Sequence, residues 1–217
     1  MSNLVSCIMP TADRRNLLPL AIASYQAQDY AELELIIIDD GDDAIFDMLE
    51  NVPNSTYVRS ARLPIGQKRN LGCEHARGDI IVHFDDDDWS APQRITEQLR
   101  NLGDGQVTAY GPDLLWWDGR QAYRYQGEAG YAAGTSLCYR RTWWTLNRFE
   151  DVTSGEDGIF EERARKAGAL NVVHNEHAIV ARLHPGNMAR HPFNTTSWPP
   201  ISIYELPAAF RDAVGAA

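Results

Sequence analysis

Cysteine is scarce. Only Cys7, Cys73 and Cys138 occur in 217 residues, far apart and each in an apolar or helical context. An odd number without a CxxC pair speaks against a disulfide framework and a cysteine-held zinc, and leaves reduced core thiols of a cytoplasmic protein as the expected state. Long apolar runs are missing too. No stretch approaches the roughly 20 residues that cross a bilayer, and MSNLVSCIMP at the N-terminus is too short and uncharged for a signal peptide. Any membrane contact is therefore expected to be peripheral. Basic charge is in deficit, with 20 Lys and Arg against 30 Asp and Glu and a net charge of −10, which argues against sequence-independent nucleic-acid binding. The phosphate-cradling loops GxGxxG and GxxxxGK[ST] are absent, as is the zinc motif HExxH, and HNEH (174–177) has the wrong spacing for zinc. No Pro/Gly/Ser-rich linker or charge block divides the chain, and 44% hydrophobic residues can build a sizeable core, so a single domain over 1–217 is expected.

What is present is an alternation of apolar strand and helix. LVSCIM (4–9) reads as a strand closed by Pro10, and NLLPLAIASYQAQ (16–28) as a helix with Asn16 as N-cap and Leu18, Ile22 and Tyr25 on one face. LELIIIDD (33–40), TYVRS (56–60) and residues 80–84 read as further strands, and IGQKRNLGCEHARG (65–78), stopped by Gly78, and 92–101 as helices. This order predicts an α/β fold, with a Rossmann-like, mostly parallel central sheet flanked by helices. In the second half, 105–110 and 136–141 read as strands and 120–127 as a hairpin arm. EDGIFEERARKAG (156–168) reads as a helix stopped by Gly168, and 171–174 and 178–184 as short strands. From His184 to Pro200 the chain reads as loop, ahead of a helix at 203–214. A small second sheet is expected in this half.

In IIVHFDDDDWSAP (80–92), four aspartates follow a buried strand directly. Neighbouring carboxylates repel, more so as water is excluded, and a hard divalent cation is the simplest offset. An EF-hand does not fit: counted from Asp85, Ser90 and Thr96 stand where Gly and Glu are needed. Mn²⁺ or Mg²⁺, shared between one or two carboxylates and substrate phosphates, is the better match, with His184 as a candidate further ligand. The competing reading is a solvated acidic turn. Asp39-Asp40 also end an apolar run, and both acidic groups fall at the carboxyl ends of predicted strands, where α/β sheets bind ligands.

Four blocks occur in order over roughly residues 4–188: VSCIMPTADRRNLLPLAIASYQAQDYAELELIIIDDGDD, GQKRNLGCEHARGDIIVHFDDDDWSAP, GEDGIFEERARKAG and LHPGN. Together they resemble the inverting, nucleotide-diphospho-sugar-dependent glycosyltransferases of family 2, which have the GT-A fold. The resemblance implies that Asp87, last of the Asp-x-Asp motif, binds the metal with His184, and that Asp85 and Asp86 lie near the ribose and diphosphate. It implies that Asp40 hydrogen-bonds the nucleobase beside Asp39. A carboxylate accepts the imide N–H of uracil, so a UDP-sugar donor is favoured, although thymidine offers the same edge. Pro10, Thr11, Asp13 and Arg14 are implied to line the nucleotide pocket. Lys68 and Arg69 stand either as cations for the diphosphate or as a solvated helix face.

Asp157 is the implied general base, because displacement at the anomeric carbon needs a carboxylate opposite the leaving group; Glu156 is the fallback. Asp88 reads as a helix-start acid, and Trp89 as a packing residue. Trp116-Trp117, Tyr123, Tyr125, Tyr131 and Trp143-Trp144 offer faces for an acceptor sugar or for core packing. Residues 1–102 are the expected nucleotide-sugar half, 103–190 the acceptor and catalytic half, and 191–217 a C-terminal tail. The acceptor stays open among a glycan, a lipid-linked sugar, a protein, a small molecule and modified nucleic acid. A nucleotidyltransferase and a non-catalytic binder of nucleotide sugar or glycan are the rival readings. Since metal and diphosphate together relieve the acidic repulsion, weak metal binding without nucleotide is expected.

Overall fold

In the computed structural model, residues 4–127, 130–187 and 196–216 are described. The expected parallel core is present: β1 (Val5–Thr11), β2 (Leu33–Asp39), β3 (Ser55–Arg59) and β4 (Ile80–His83) run parallel, with β1 central between β4 and β2. The seven-stranded sheet has the order β10-β6-β9-β4-β1-β2-β3. Its other half is β6 (Val107–Tyr110), β9 (Cys138–Arg140) and β10 (Leu170–Val173), with β9 antiparallel to both neighbours. The chain moves outward from β1 to β2 and β3, then returns to place β4 on the other side of β1. That reversal opens a crevice at the carboxyl ends of β1 and β4.

Both sheet faces are buried because alternate residues of each strand serve opposite layers. Cys7, Met9, Leu35 and Ile37 pack under Leu18, Ile22 and Tyr25 of α1 (Leu18–Gln26) and Ile95 of α3 (Arg94–Leu102). Ile8, Ile36 and Ile38 pack on the other face with Cys73 of α2 (Ile65–His75), Trp144 of α4 (Arg141–Leu146) and Phe160 of α5 (Glu156–Lys166). Gly72, at the middle of α2, allows a close approach: a Cβ there would lie 2.4 Å from Ile8 Cγ2.

A second, five-stranded sheet has the order β12-β8-β7-β11-β5. It consists of β5 (Trp89–Ser90), β7 (Leu115–Trp117), β8 (Ala122–Arg124), β11 (Ile179–Arg182) and β12 (Pro200–Ile201). Phe210 of α6 (Ala208–Val214) packs into its apolar cluster, against Trp89. No helix among the described residues is long and apolar enough to cross a membrane.

Several boundaries differ from the sequence reading. β1 runs through Pro10 to Thr11, because the missing Pro10 N–H faces β4, whose pairing has already ended at Ile8↔His83, while pairing to β2 continues to Thr11↔Asp39. Asn16 does not cap α1; Leu17 holds that place without a side-chain bond. Helix α2 ends at His75, and the extended backbone of Ala76, not Gly78, stops it. Elements β5, β7, α4 and β12 were not expected, and 203–214 holds a short 3₁₀ turn and α6 with Pro207 between them. The loop expected between His184 and Pro200 lies partly outside the described residues, at 188–195.

Candidate active site

The four aspartates form the link between the two sheets. Before them, the Phe84 N–H donates to Ile8 O at 2.9 Å; after them, Trp89 and Ser90 pair antiparallel with Val180 and Ile179. The link is fixed from beneath by Arg94, which is 1% exposed. Its guanidinium donates to His83 O at 2.6 Å, Thr135 O at 2.8 Å, Ser90 Oγ at 2.7 Å and Gln98 Oε1 at 3.2 Å, and lies over the Phe84 ring.

Each aspartate has its own partners. Asp85 accepts from Arg69 at 3.4 Å. Asp86 accepts from the Thr11 hydroxyl at 2.6 Å and from Arg14 at 2.7 Å. Asp87 Oδ2 accepts from Arg14 at 2.9 Å and lies 3.0 Å from His184 Nε2 and 3.5 Å from Asn187 Nδ2. Asp88 accepts from the Thr135 hydroxyl at 2.9 Å and from the Arg182 N–H at 3.1 Å. Asp88 is thus not a helix-start acid: it is buried across the sheet junction, and α3 begins after Gln93 without a side-chain cap. Burial, reinforced by the Asp87 charge, pushes Asp86 up to about 6. Burial likewise raises Asp88 well above the usual carboxylate range, with Asp87 and Asp85 adding to it.

The implied nucleotide residues divide. Pro10 and Arg14 line a cavity of about 340 Å³ together with Asp85 to Asp88, whereas Thr11, Asp13, Asp40 and Lys68 are not part of its wall. Asp40 is ion-paired with Lys68 and accepts from the Leu63 N–H at 2.9 Å. Lys68 also donates to Thr11 O at 3.1 Å, and with Arg69 it is buried, so neither forms a solvated helix face. Asp39 is fully buried and accepts from Tyr57, Arg59 and the Gly41 N–H. Asp13, at φ 55°, accepts from Arg62 at 2.5 Å and from the Asp42 and Asp43 N–H groups; Arg62 first, then those amides, lower its pKa to about 2.

In the wall of the same cavity, the first turn of α5 carries Glu156 and Asp157. Glu156 is buried and accepts from Arg69 Nε at 2.9 Å, so Arg69 joins Asp85 to Glu156. Asp157 is half-buried and lines the same cavity. Its carboxylate rests on Gly134, where a Cβ would lie 1.8 Å from Asp157 Oδ2. His83, fully buried, lies beneath: Nδ1 is 3.0 Å from Arg69 and 3.1 Å from Gly134 O, and Nε2 is 3.1 Å from the Tyr139 hydroxyl. Burial, then the Arg69 and Arg94 charges, hold it neutral, well below the usual histidine range.

Of the aromatic candidates, Trp116 and Tyr131 line the cavity, and Trp89 packs on Phe210 as expected. Trp117 and Trp144 are buried core residues. Arg94, Thr135, Gly134 and Arg182 were not singled out from sequence: the partners of Thr135, Gly134 and Arg182 at the site lie far away in the chain, and Arg94 reads as an ordinary helix residue until Thr135 and the His83 carbonyl are brought to it.

The donor set suits a hard divalent cation. Carboxylate oxygens of Asp85, Asp87 and Asp88 lie within 4.8 Å of one another, and the His184 imidazole reaches Asp87.

The family model "Glycosyl transferase family 2" matches residues 6–170. A GalNAc(5)-diNAcBac-PP-undecaprenol beta-1,3-glucosyltransferase of Campylobacter jejuni is 28% identical over 135 residues, covering 57% of this chain and 42% of that protein. An uncharacterized glycosyltransferase of Haemophilus influenzae is 35% identical over 102 residues, 44% of this chain and 41% of that protein. The chain thus matches well under two thirds of the length of these relatives. Among solved structures, Staphylococcus aureus TarS 1-349 in complex with UDP superposes with a TM-score of 0.69 at 17% identity, covering 84% of this chain and 61% of that one. Mannosyltransferase PcManGT from Pyrobaculum calidifontis, in complex with GDP-Man and Mn²⁺, gives 0.63 at 18%, covering 82% and 56%. These two likenesses establish the GT-A type of fold.

Proposed function

The chain belongs to glycosyl transferase family 2, and on that premise we propose that it moves a sugar from a nucleotide-diphospho-sugar, a UDP-sugar first, to an acceptor hydroxyl with inversion, using Mn²⁺ or Mg²⁺. The observation that carries this reading is that one cavity has the acidic run and Asp157 in its wall. An inverting displacement needs these two features opposed: a site for the leaving diphosphate and a carboxylate for the incoming hydroxyl.

In this mechanism Asp87 and His184 would hold the ion, and Asp85 and Asp86 would lie beside the ribose and diphosphate. A bound divalent cation supplies the charge that stabilises the departing diphosphate. Arg69 fixes Asp85 and Glu156 in one frame, and so sets the acidic run relative to the base. Asp157, backed by Gly134, takes the acceptor's proton at its carboxylate while the hydroxyl oxygen attacks the anomeric carbon. Asp40, held by Lys68, reads the base at the end of β2. Residues 1–102 form the donor half and 103–190 the acceptor half. The acceptor we propose is a glycan or lipid-linked sugar, the substrate class printed in the name of the Campylobacter relative.

The test is incubation with UDP-, GDP- and dTDP-sugars plus Mn²⁺ or Mg²⁺, reading the product released and its anomeric configuration. A nucleoside diphosphate and an inverted sugar are expected. Pyrophosphate release would instead identify a nucleotidyltransferase. Chelation or Asp87→Ala is expected to abolish turnover; full activity in either would sink the metal assignment. Asp157→Asn is expected to lose roughly 10²–10⁴-fold.

A further inference from the structure

A second cavity, about 760 Å³, shares Asp157, Tyr131 and Gly134 with the first and adds Tyr125, Glu161 and Arg165. Glu161 stands out in it. The residue is 7% exposed, and its Oε1 is buried with no hydrogen-bond partner among the described residues. It sits four residues after Asp157 on α5, so both carboxyls lie on one helix face. A carboxyl buried without a partner costs folding free energy, which an apolar residue at this position would avoid. A ligand that completes its hydrogen bonding would offset that cost.

Resting on the proposed transferase reading, we propose that this second cavity seats the acceptor as a polyhydroxylated ring, and that the Glu161 carboxyl hydrogen-bonds a hydroxyl of that ring other than the one that reacts. The walls suit such a ligand. Tyr125 and Tyr131 both line the cavity and meet edge to face with centroids 4.7 Å apart, and the buried Trp198 backs Tyr125 at 4.4 Å, so the two tyrosines give the apolar face of a sugar ring an aromatic surface. The charge state fits as well. Burial first, then the Asp157 charge, raise Glu161 from its ordinary 4.5 to about 8, against the pull of Arg165 on the same helix and Arg69 on α2. Of the groups facing it, Tyr131 is itself raised by burial first and by Glu161 second, and so stays neutral. At neutral pH the Glu161 carboxyl therefore carries a proton, and it can donate to and accept from a sugar hydroxyl at once. Arg165, at the same rim, disfavours a cationic acceptor.

The test uses methyl β-D-glucopyranoside and methyl β-D-galactopyranoside as probes, titrated by saturation-transfer NMR into the full chain with UDP and Mg²⁺. Saturable binding of at least one glycoside is expected at pH 7, weakening as the pH rises through about 8. Glu161→Ala is expected to weaken it about tenfold at pH 7, one hydrogen bond's share. Glu161→Gln, which keeps a donor and an acceptor, is expected to bind as the wild type does at pH 7 and to lose the pH dependence. UDP titration reports that both variants fold, since Glu161 lies outside the first cavity. Wild-type affinity in Glu161→Ala, a wild-type pH profile in Glu161→Gln, or no binding of either glycoside to the wild type would overturn the proposal. Should Glu161→Ala fail to fold, the pH profile of Glu161→Gln decides alone. If the wild type binds glycoside but neither binds nor cleaves any nucleotide sugar, the transferase reading fails instead.

Discussion

Replacing Gly134 by alanine tests the placement of the base without touching it. The new Cβ would lie 1.8 Å from Asp157 Oδ2, 2.6 Å from its Cγ and 2.7 Å from its Cβ, whereas real Cβ contacts essentially never fall under 3.0 Å. The carboxylate must therefore withdraw by about 1 Å. Rotation about χ1 moves the oxygens but not the Asp157 Cβ, so the first turn of α5 has to shift as well. Gly134 cannot retreat easily, because its carbonyl accepts from the Leu137 N–H at 3.2 Å and lies 3.1 Å from His83 Nδ1. A displacement of about 1 Å in a reacting group costs on the order of 10²-fold, while accommodating one methyl group costs about 1–3 kcal/mol of stability. The assay is steady-state transfer with the donor KM and kcat separated, alongside thermal unfolding. Gly134→Ala is expected to lose about a hundredfold in kcat with little change in donor KM. Added to Asp157→Asn, it is expected to cost little more, because both act through the same carboxylate. Turnover within threefold of wild type, or losses that multiply in the double variant, would refute the reasoning.

Other perturbations follow from the same geometry. Arg94→Met leaves the His83 and Thr135 carbonyls without this donor in a buried site, so urea denaturation should show a loss of roughly 2–5 kcal/mol; less than 1 kcal/mol would contradict it. Arg14→Ala removes the guanidinium that spans Asp86 and Asp87, and is expected to tighten Mn²⁺ binding to the nucleotide-free protein severalfold by calorimetry; unchanged or weaker binding would count against Arg14 as a competing cation. For Glu161, a folded pKa near 8 against an ordinary 4.5 means that the unfolded chain releases its proton first as pH rises. Wild-type stability is thereby eroded between about pH 4.5 and 8. Chemical denaturation should accordingly show Glu161→Gln gaining on the wild type as pH is raised through that window, and a constant difference would falsify the assignment.

The parallel half of the fold was legible because its inner strands β1, β2 and β4 are largely buried on both faces and end in polar residues at one edge, whereas the edge strand β3 is only half-buried. LELIIID is apolar apart from Glu34 and its final Asp39, and Glu34 itself is buried by the Ser6 hydroxyl and Arg77. β5 and β12 have two residues each, too short to show a period, and they exist only because β11 and β8 lie beside them. α4 follows β9 without a break or a capping residue, so no local signal marks its start. In the site, carboxylates at strand ends could be found from residue type and position. Their partners could not. Asp88 looked like a cap because a helix follows it closely, but Thr135 and Arg182, 47 and 94 residues away, draw it inward. The Asp40–Lys68 pair depends similarly on α2 packing over the end of β1, a contact that neither segment encodes alone.

The repulsion among Asp85 to Asp88 is partly answered within the chain. Arg69 from α2 reaches Asp85, and Arg14 from the turn between β1 and α1 bridges Asp86 and Asp87, while Asp88 is left to the Thr135 hydroxyl and a backbone N–H. Arg14 and Arg69 thus answer three of the four carboxylates, while Asp88, which burial raises well above the usual carboxylate range, is held by uncharged donors. This arrangement changes the reason for expecting weak metal binding without nucleotide. The acids are not simply waiting for a cation, because Arg14 already occupies the space between the two that matter most and also holds Gly186 O, next to the His184 loop. A metal entering this site competes with a tethered guanidinium, which removes part of the attraction the bare acids would offer. A diphosphate arriving with the metal changes that balance, since it gives Arg14 an anionic partner outside the aspartates. On this account donor and metal bind together because one side chain must be released from the acids as the other is taken up.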